Sequence, residues 1–191
     1  MSREERRTSI AAAAVPLVRE HGRLVTTRQI AEAAGVAEGT LFRVFSDKNE
    51  ILREVVEYAC RPEPMLAELD GLDTGVPLAD FVTRLVEVTR RRVSEIFDVA
   101  MAARWIPEAA RQPRPERGAV ELRVVALLRS YADELSVPPE TAADVLRLLV
   151  FSSTHPLINE GRPLGTDDIV RVLLNGVRVS PGAAHAERGR V

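Results

Sequence analysis

The stretch from Thr26 to Lys48, TTRQIAEAAGVAEGTLFRVFSDK, constrains the fold of this chain more than any other part of its sequence. It predicts two short helices joined by a tight turn. Thr26, with a Gln three residues later, has the spacing of a capping box at the start of the first helix. Gly35 suits the left-handed conformation in which many helices end. In the second helix, Leu41 and Phe45 lie four residues apart and are predicted to face inward together.

The same spacing leaves the opposite side of the second helix exposed, with Glu38, Gly39, Phe42 and Arg43 on it. A glycine at the front of an exposed helix allows close approach to another surface. Thr40 and Arg43 can donate hydrogen bonds to phosphate groups. Two short helices in this order are typical of a helix-turn-helix, whose second helix enters the major groove of DNA. The sequence therefore indicates a DNA-binding element.

The run TTRQIAEAAGVAEGTLFRVFSDKNEIL resembles the DNA-binding signature of the TetR-type (tetracycline-repressor-like) transcriptional regulators. The pattern IA..AGV..GTL, followed by an aromatic residue, a Phe and a Lys, carries this resemblance, which covers roughly residues 8–58. It implies a ligand-responsive repressor that binds a pseudo-palindromic double-stranded operator as a homodimer and is released by a small organic effector. It also implies DNA contacts for nine residues, namely Thr27, Arg28, Ala37, Glu38, Gly39, Thr40, Phe42, Arg43 and Lys48.

Three positions depart from the family pattern. Ala37 stands where a Ser or Thr would cap the recognition helix, and a missing cap costs about 1 kcal/mol of local helix stability. Val44 replaces a polar or aromatic residue that reaches the DNA in many relatives. Phe42 replaces the commoner Tyr, which keeps an apolar surface for a thymine methyl group but loses the hydroxyl.

The charge balance is unusual for a nucleic-acid-binding domain. Residues 1–60 hold nine Lys or Arg and nine Asp or Glu, and residues 61–177 hold 14 and 18, a net charge of −4. Non-specific attraction to DNA should therefore be weak, and affinity must come from a few well-placed cations. The neutral domain, Ala37 and Val44 keep a second hypothesis open, a helical small-molecule- or partner-binding protein whose helix-turn-helix is degenerate.

The N-terminal basic residues permit two interpretations. Arg3, Arg6 and Arg7 could reach DNA as an N-terminal arm, or they could form a solvated charge run balanced by Glu4 and Glu5. Both interpretations place these side chains in solvent, on the first turns of a helix that spans residues 2–21.

Helical periodicity continues to the end of the chain, and no segment shows the alternation of a strand, so we predict an all-α fold with about nine helices. The predicted domains are a helix-turn-helix domain with its connecting fourth helix over residues 1–60, a ligand-binding and dimerisation domain over residues 61–179, and a disordered tail over residues 180–191. Residues 78–106 contain no Gly or Pro and predict either one kinked helix or two consecutive helices.

The resemblance implies that the larger domain binds a small molecule. Candidate lining residues are the larger aromatic side chains of this domain and their polar neighbours, each of which could equally be a core residue: Phe81, Phe97, Met101, Arg104, Trp105, Tyr131, Phe151 and His155. The last two long helices are richer in Leu, Val and Ile than one monomer core needs, which predicts a four-helix dimer interface. Its candidate residues are Val145, Leu149, Ile169, Val172 and Leu173.

Enzymatic chemistry has little support in this sequence. The three histidines, His21, His155 and His185, fall on different elements, and neither HExxH nor GxSxG is present, so we expect no catalytic residue, metal site or cofactor. The single cysteine, Cys60, cannot form an internal disulfide. No apolar run approaches the roughly 20 residues of a membrane span, and the charged N-terminus is unlike a signal peptide, which predicts a cytoplasmic protein.

Overall fold

A computed structural model of the protein describes residues 2–105 and 118–177. These residues form α-helices joined by short turns and contain no β-strand, which confirms the predicted all-α fold for this part of the chain. The helices are α1 (Arg3–His21), α2 (Thr27–Ala33), α3 (Glu38–Val44), α4 (Lys48–Ala59), α5 (Glu63–Asp70), α6 (Leu78–Ala103), α7 (Ala119–Leu128), α8 (Pro139–Thr154), α9 (Pro156–Asn159) and α10 (Thr166–Val177). Short 3₁₀ segments follow α1 at Gly22–Leu24 and α7 at Arg129–Glu134. The predicted tail, residues 180–191, lies outside the described residues.

The described residues divide into two compact units. One comprises residues 2–61 and 94–105, and the other comprises residues 62–93 and 118–177. The division at Arg61 coincides with the predicted boundary. Residues 94–105 differ from the prediction, because they belong to the first unit and not to the second. The physical reason is that Val99, Ala100 and Ala103 are buried in the core of the first unit.

The first unit packs α2 and α3 on a scaffold formed by α1, α4 and the last turns of α6. The Ser-x-x-Glu spacing of Ser2 and Glu5 predicts a capping box at the start of α1, and these two residues do exchange hydrogen bonds there. Asp47, with Glu50 three residues later, has the spacing that predicts a helix start, and it caps α4 with a carboxylate that accepts the backbone N–H of Glu50 at 2.8 Å. The buried side chains of this core include Ile10, Ala14, Val18, Ile30, Leu41, Phe45, Ile51, Val55, Val99 and Ala103.

The second unit has its own core, to which α5, the first part of α6, α7, α8 and α10 contribute. Phe81 and Tyr131 stack at its centre with ring centroids 4.9 Å apart. The Tyr131 hydroxyl donates to the backbone carbonyls of Thr74 and Val76, at 3.0 and 2.8 Å, and so holds the loop before α6. Burial, together with the charges of Asp73 and Glu134, raises the pKa of Tyr131.

Residues 78–103 form one helix, which resolves the question that the sequence left open. Cations favour the C-terminal end of a helix, so the run Arg90, Arg91, Arg92 predicts a helix end, but α6 continues through it. Arg91 pairs with Glu68, and Arg90 donates to the hydroxyl of Thr166 at 3.2 Å. Helix α6 therefore contributes its first part to one core and its last part to the other.

The apolar periodicity of the sequence predicts a helix over about residues 140–160 that Pro156 bends, but helix α8 is shorter. It ends at Thr154, and His155 is extended at φ −71° and ψ 117° because the following Pro156 disfavours helical geometry in the residue before it. The amide of Asn159 donates to the carbonyl of Ser153 at 2.9 Å, which satisfies one of the acceptors left at the helix end. The ring of His155 lies 5.6 Å from that of Phe151.

Candidate nucleic-acid interface

Helices α2 and α3 form the predicted pair of short helices with a tight turn between them. The Thr26 hydroxyl accepts the backbone N–H of Gln29 at 3.2 Å, and the Gln29 side chain accepts the N–H of Thr26 at 2.8 Å, which completes the capping box. Gly35 is left-handed with φ 66°, as predicted. Its N–H donates to the carbonyl of Glu32, and that of Val36 donates to the carbonyl of Ala31, which closes α2 with the two hydrogen bonds of a Schellman motif.

The recognition helix α3 begins without a side-chain cap. Ala37 is extended at φ −69° and ψ 143° and makes no side-chain hydrogen bond, as the sequence predicted. The carboxylate of Glu38 instead accepts a hydrogen bond from the hydroxyl of Thr27, so the first residues of α2 and α3 are tied to each other. This contact fixes the angle of the turn, and it also occupies one oxygen of the only carboxylate on α3.

The two faces of α3 differ sharply in exposure. Leu41 and Phe45 are fully buried, as predicted, while Glu38, Gly39, Phe42 and Arg43 are exposed. Phe42 is 51 % exposed, although its aromatic ring would favour burial. A large apolar side chain on the outer face of a short helix, next to a cation, is suited to contact with base edges and the thymine methyl group.

Val44 takes part in the core of the first unit. Only 3 % of its surface is exposed, so it cannot make the contact to DNA that a polar residue at this position makes in relatives. Its backbone carbonyl, at the end of α3, has a different role. It accepts hydrogen bonds from the guanidinium groups of Arg3 and Arg7, at 3.1 and 3.2 Å.

Arg7 fits neither interpretation of the N-terminal basic residues, a DNA-contacting arm or a solvated charge run. Its guanidinium forms ion pairs with Glu50 and Glu54 on α4, at 2.7 and 2.6 Å, and stacks 4.6 Å above the ring of Phe45. A guanidinium presents five donors in a planar fork, which allows one side chain to join α1, α4 and the end of α3. Arg7 is therefore a positioning residue for the recognition helix. Arg3 is a second positioning residue, through its single contact to the Val44 carbonyl.

Within this cluster, Arg7 and Glu50 each stabilise the charged form of the other. The backbone N–H of Ser46, then Arg7, then the Ser46 hydroxyl lower the pKa of Glu50 to about 2. Burial of Arg7 alone would lower the pKa of its guanidinium, but the hydrogen bonds to Glu50 and Glu54 outweigh burial and raise it. Both groups are charged at neutral pH, and α3 is held at its C-terminal end by charge-assisted hydrogen bonds.

The remaining predicted DNA contacts surround α3. Arg28 is exposed and pairs with Glu32 at 3.1 Å on the same helix, while Thr27 and Thr40 are half-buried. Lys48 donates to the backbone carbonyl of Arg23 at 2.6 Å. Within the described residues Arg43 makes no ion pair, so its charge is available to a phosphate.

The predicted ligand-lining residues are divided between the two units, so neither unit alone encloses all eight. Phe97, Met101, Arg104 and Trp105 belong to the first, while Phe81, Tyr131, Phe151 and His155 belong to the second. Several have structural partners. Phe81 and Tyr131 fill a core, and the guanidinium of Arg53 on α4 lies 4.8 Å above the ring of Trp105. Met101, Pro16, Arg19, Glu20 and Asp98 line an open surface depression in the first unit.

The five predicted dimer residues differ in burial: two are buried, two are partly buried and one is exposed. Ile169 and Leu173 are buried in the core of their own chain, at 0 and 2 % exposure, which corrects their assignment as interface residues. They form the inward stripe of α10, which packs on α8. Val145 and Leu149 pack partly buried against the same core. Val172 is 50 % exposed, and α8 has two exposed apolar residues outside the predicted set, Leu148 at 54 % and Phe151 at 42 %.

Two further residues near the helix-turn-helix were missed by the sequence reasoning. Leu24 is 87 % exposed, and the adjacent Arg23 donates to the side-chain oxygen of Asn49 at 2.8 Å. In the sequence, the available signal was an apolar residue, Leu24, that directly follows the basic Arg23. The next residue, Val25, is buried in the structure.

Among residues 2–105 and 118–177, no three or more His, Cys, Asp or Glu side chains are grouped as a metal ion would require. No helix in the same residues has the length and apolar character needed to cross a membrane.

Comparison with known proteins agrees with this arrangement. The sequence profile of the family described as bacterial regulatory proteins, tetR family, matches residues 10–55. A protein described as a TetR-family transcriptional regulator from Mesorhizobium loti superposes with a TM-score of 0.59 at 15% identity, over 94% of this chain and 100% of that chain. A TetR transcriptional regulator from Streptomyces coelicolor gives 0.55 at 20%, over 91% and 99%.

A TetR family transcription regulator from Marinobacter aquaeolei gives a TM-score of 0.51 at 18% identity, over 93% of this chain and 97% of that chain. At these identities the solved structures show a shared fold. The matched profile lies on the helix-turn-helix and its scaffold. The solved structures therefore show the fold, and the profile match shows that residues 10–55, in the first unit, are similar to the family described as bacterial regulatory proteins, tetR family.

Proposed function

We propose that this chain is a cytoplasmic transcriptional repressor that binds its operator as a homodimer and is released by a small organic effector. One observation carries the proposal. The recognition helix presents Glu38, Gly39, Phe42 and Arg43 to solvent, while Leu41 and its other inward residues anchor it in a core. The match of residues 10–55 to the profile of the tetR family of bacterial regulatory proteins supports the class of function.

The proposed DNA contacts follow from the exposed groups. Gly39, Thr40 and Phe42 approach the base edges, and Arg43 and Lys48 contact phosphates. Two copies of α3 would enter successive major grooves, so the operator should be a pseudo-palindrome with half-site centres one or more helical turns, about 34–36 Å each, apart. Because the predicted contacts are few, affinity should depend less on salt than that of a strongly basic domain.

A second copy of the chain would supply the other recognition helix. The exposed apolar side chains of α8, Leu148 and Phe151, lie three residues apart on one side of the helix, and α10 adds Val172. Apolar side chains that are half-exposed in one chain become buried when the same helices of a second chain pack on them, as in a two-fold interface.

The proposed release by an effector uses α6. Its last turns share a core with α4, the helix that starts at Lys48. An effector that favours a different position of α6 would shift α4 and change the separation of the two recognition helices, and a duplex of fixed groove spacing would then lose contacts at both half-sites. Linkage limits the effect to the effector's own preference for the released state, typically about 1–3 kcal/mol.

The DNA part of the proposal is tested by a fluorescence-anisotropy titration at physiological salt. The full-length protein is titrated against DNA from upstream of its own gene and against a scrambled duplex of the same composition. We expect clearly tighter binding to one upstream pseudo-palindrome. Equal binding to both duplexes would instead favour a ligand- or partner-binding protein with a degenerate helix-turn-helix.

The effector part has its own test. Compounds that co-purify with the protein are identified by mass spectrometry and added to the operator complex, and we expect a largely apolar compound that lowers operator affinity. The Trp105→Ala variant removes the ring under Arg53 and should still bind the operator but no longer release it. A full effector response in this variant would contradict the proposed role of the end of α6.

A further inference from the structure

The cations of the first unit are not equally available to DNA. Three of the nine basic residues between positions 1 and 60 are paired with carboxylates: Arg7 with Glu50 and Glu54, Arg19 with Asp98, and Arg28 with Glu32. Arg3 donates to the carbonyl at the end of α3, and Arg53 lies over the ring of Trp105. The other four, Arg6, Arg23, Arg43 and Lys48, have no carboxylate partner within the described residues. Because the unit is formally neutral, cations without a carboxylate partner are the ones that attract phosphate to its surface.

Two of the four are joined. The ammonium of Lys48 donates to the backbone carbonyl of Arg23 at 2.6 Å, and the guanidinium of Arg23 donates to the side chain of Asn49 at 2.8 Å. The 3₁₀ turn Gly22–Leu24 and the first turn of α4 are thereby held together. Asp47, the acidic residue directly before Lys48 in the sequence, accepts the backbone N–H of Glu50 with its carboxylate at the start of α4.

Both cations retain donors for a ligand. An ammonium has three N–H donors and a guanidinium has five, and the contacts above use one of each. Leu24, beside Arg23, leaves 87 % of its surface in water, more than any other large apolar residue that the structure describes. A backbone of alternating phosphates and apolar sugar faces complements this combination of two fixed cations and one apolar side chain.

We propose that Arg23, Leu24, Lys48 and Asn49 form a phosphate clamp, in which Arg23 and Lys48 hold one segment of the DNA backbone and Leu24 packs on the adjacent deoxyribose. The proposal rests on the proposed function and adds Arg23 and Leu24 to its contacts. DNA is the favoured partner because Lys48 follows closely after the recognition helix, so the clamp continues that surface. Asn49 is a positioning residue that orients Arg23.

The test is the salt dependence of DNA binding. For the full-length protein and for Arg23→Ala, the dissociation constants for the operator and for a scrambled duplex are measured between 50 and 200 mM salt. One lost phosphate contact should reduce the slope of log affinity against log salt by about 0.9, so that Arg23→Ala loses about 3.5-fold less affinity over this range than the unmodified protein. Affinity should fall by a similar factor on both duplexes, because a phosphate contact carries no sequence information.

Arg19→Ala is the matched control. It removes the same charge from the same unit, but Arg19 pairs with Asp98 at 3.5 Å and is not part of the clamp, so its slope should equal that of the unmodified protein. Arg23→Lys keeps the charge and should keep the slope. Phosphate-ethylation interference should show one sensitive phosphate per half-site that disappears in Arg23→Ala.

The outcomes separate the two proposals. If the unmodified protein fails to prefer its operator, the proposed function is wrong. If it prefers the operator but Arg23→Ala and Arg19→Ala have its slope, only the clamp is wrong. If Arg23→Ala leaves DNA binding untouched but abolishes co-precipitation of an acidic protein, the surface serves a protein partner and the clamp is again wrong.

Discussion

Gly39, in the first turn of the recognition helix, has no role in the packing of its own chain. A Cβ built at this position would meet no described atom within 4 Å. Gly in a helix is less favourable than Ala by roughly 0.5–1 kcal/mol, so folding alone would favour Ala here. A missing side chain is useful at this position only if another surface approaches α3 closely.

The Gly39→Ala variant should therefore separate stability from function. We expect its free energy of unfolding to rise by up to about 1 kcal/mol, because Ala is the better helix former. Its operator affinity should fall, because the added methyl group keeps the helix from the base edges. Denaturant unfolding and anisotropy measure the two effects. An operator affinity equal to that of the unmodified protein would mean that Gly39 does not face DNA.

Gly22 and Gly35 have positive φ angles, of 54° and 66°, but different surroundings. A Cβ at Gly22 would lie 2.8 Å from the backbone oxygen of Ala102, whereas one at Gly35 would meet nothing within 4 Å. Gly35→Ala should cost about 1–2 kcal/mol from the left-handed conformation alone. Gly22→Ala should cost at least about 1 kcal/mol more, because backbone must also move. Denaturant unfolding measures both losses. If the two variants lost the same free energy of unfolding, the backbones of Gly22 and Ala102 would be able to move apart without cost.

At the scale of elements, the ion pairs of Arg7 make the contacts at the C-terminal end of α3 sensitive to acid. The pKa of Glu50 is about 2 in the folded chain, against an ordinary value of 4.5. A lowered pKa stabilises the fold above about pH 4.5, and this contribution is lost as the pH falls towards 2. Since a quarter of the Glu50 side chain is exposed, solvent screening limits the contribution to roughly 1–2 kcal/mol.

The Glu50→Gln variant tests this element. It should be less stable at pH 7, and its stability should change less than that of the unmodified protein between pH 4.5 and 2. Glu32→Gln, which removes an exposed pair with Arg28, is the control and should change stability by less than about 0.5 kcal/mol. Chemical denaturation at several pH values gives the comparison. The same pH dependence in all three proteins would contradict the assigned role of Glu50.

The elements that the sequence predicts well are those specified by local chemistry. The caps at Ser2, Thr26 and Asp47 and the left-handed Gly35 all follow from residues within one helical turn. Arg7 could not be predicted in this way, because its carboxylate partners lie 43 and 47 positions later in the chain. Nearby Glu4 and Glu5 instead suggested a local charge balance.

The predicted sites also depend on contacts that local sequence does not reveal. An apolar stripe on a terminal helix does not reveal whether its own chain or a second copy covers it, so Ile169 and Leu173 were assigned to an interface although they fill the monomer core. Arg104 was expected to anchor a ligand. It is left-handed at φ 52° and ends α6 with the hydrogen bonds of a Schellman motif, where Gly is usual.

At the scale of the whole molecule, assembly is tested by placing a charge on the exposed apolar side of α8. Leu148→Asp should leave the monomer folded, because more than half of that side chain is exposed, but should split the dimer by burying an unpaired charge. Ser130→Asp, an exposed position outside α8 and α10, is the control and should remain dimeric. Light scattering at micromolar concentration measures the mass. A folded monomer of the unmodified protein would contradict the dimer.

The central claim is that the exposed face of α3 reads DNA sequence, and Phe42 tests it most directly. The dissociation constants of the unmodified protein and of Phe42→Ala are compared on the operator, on operators with single base-pair changes, and on a scrambled duplex. The account predicts a loss of roughly 1–3 kcal/mol on the operator, a weaker preference at particular base pairs, and unchanged affinity for scrambled DNA. An equal loss on every duplex, or no loss on the operator, would contradict it.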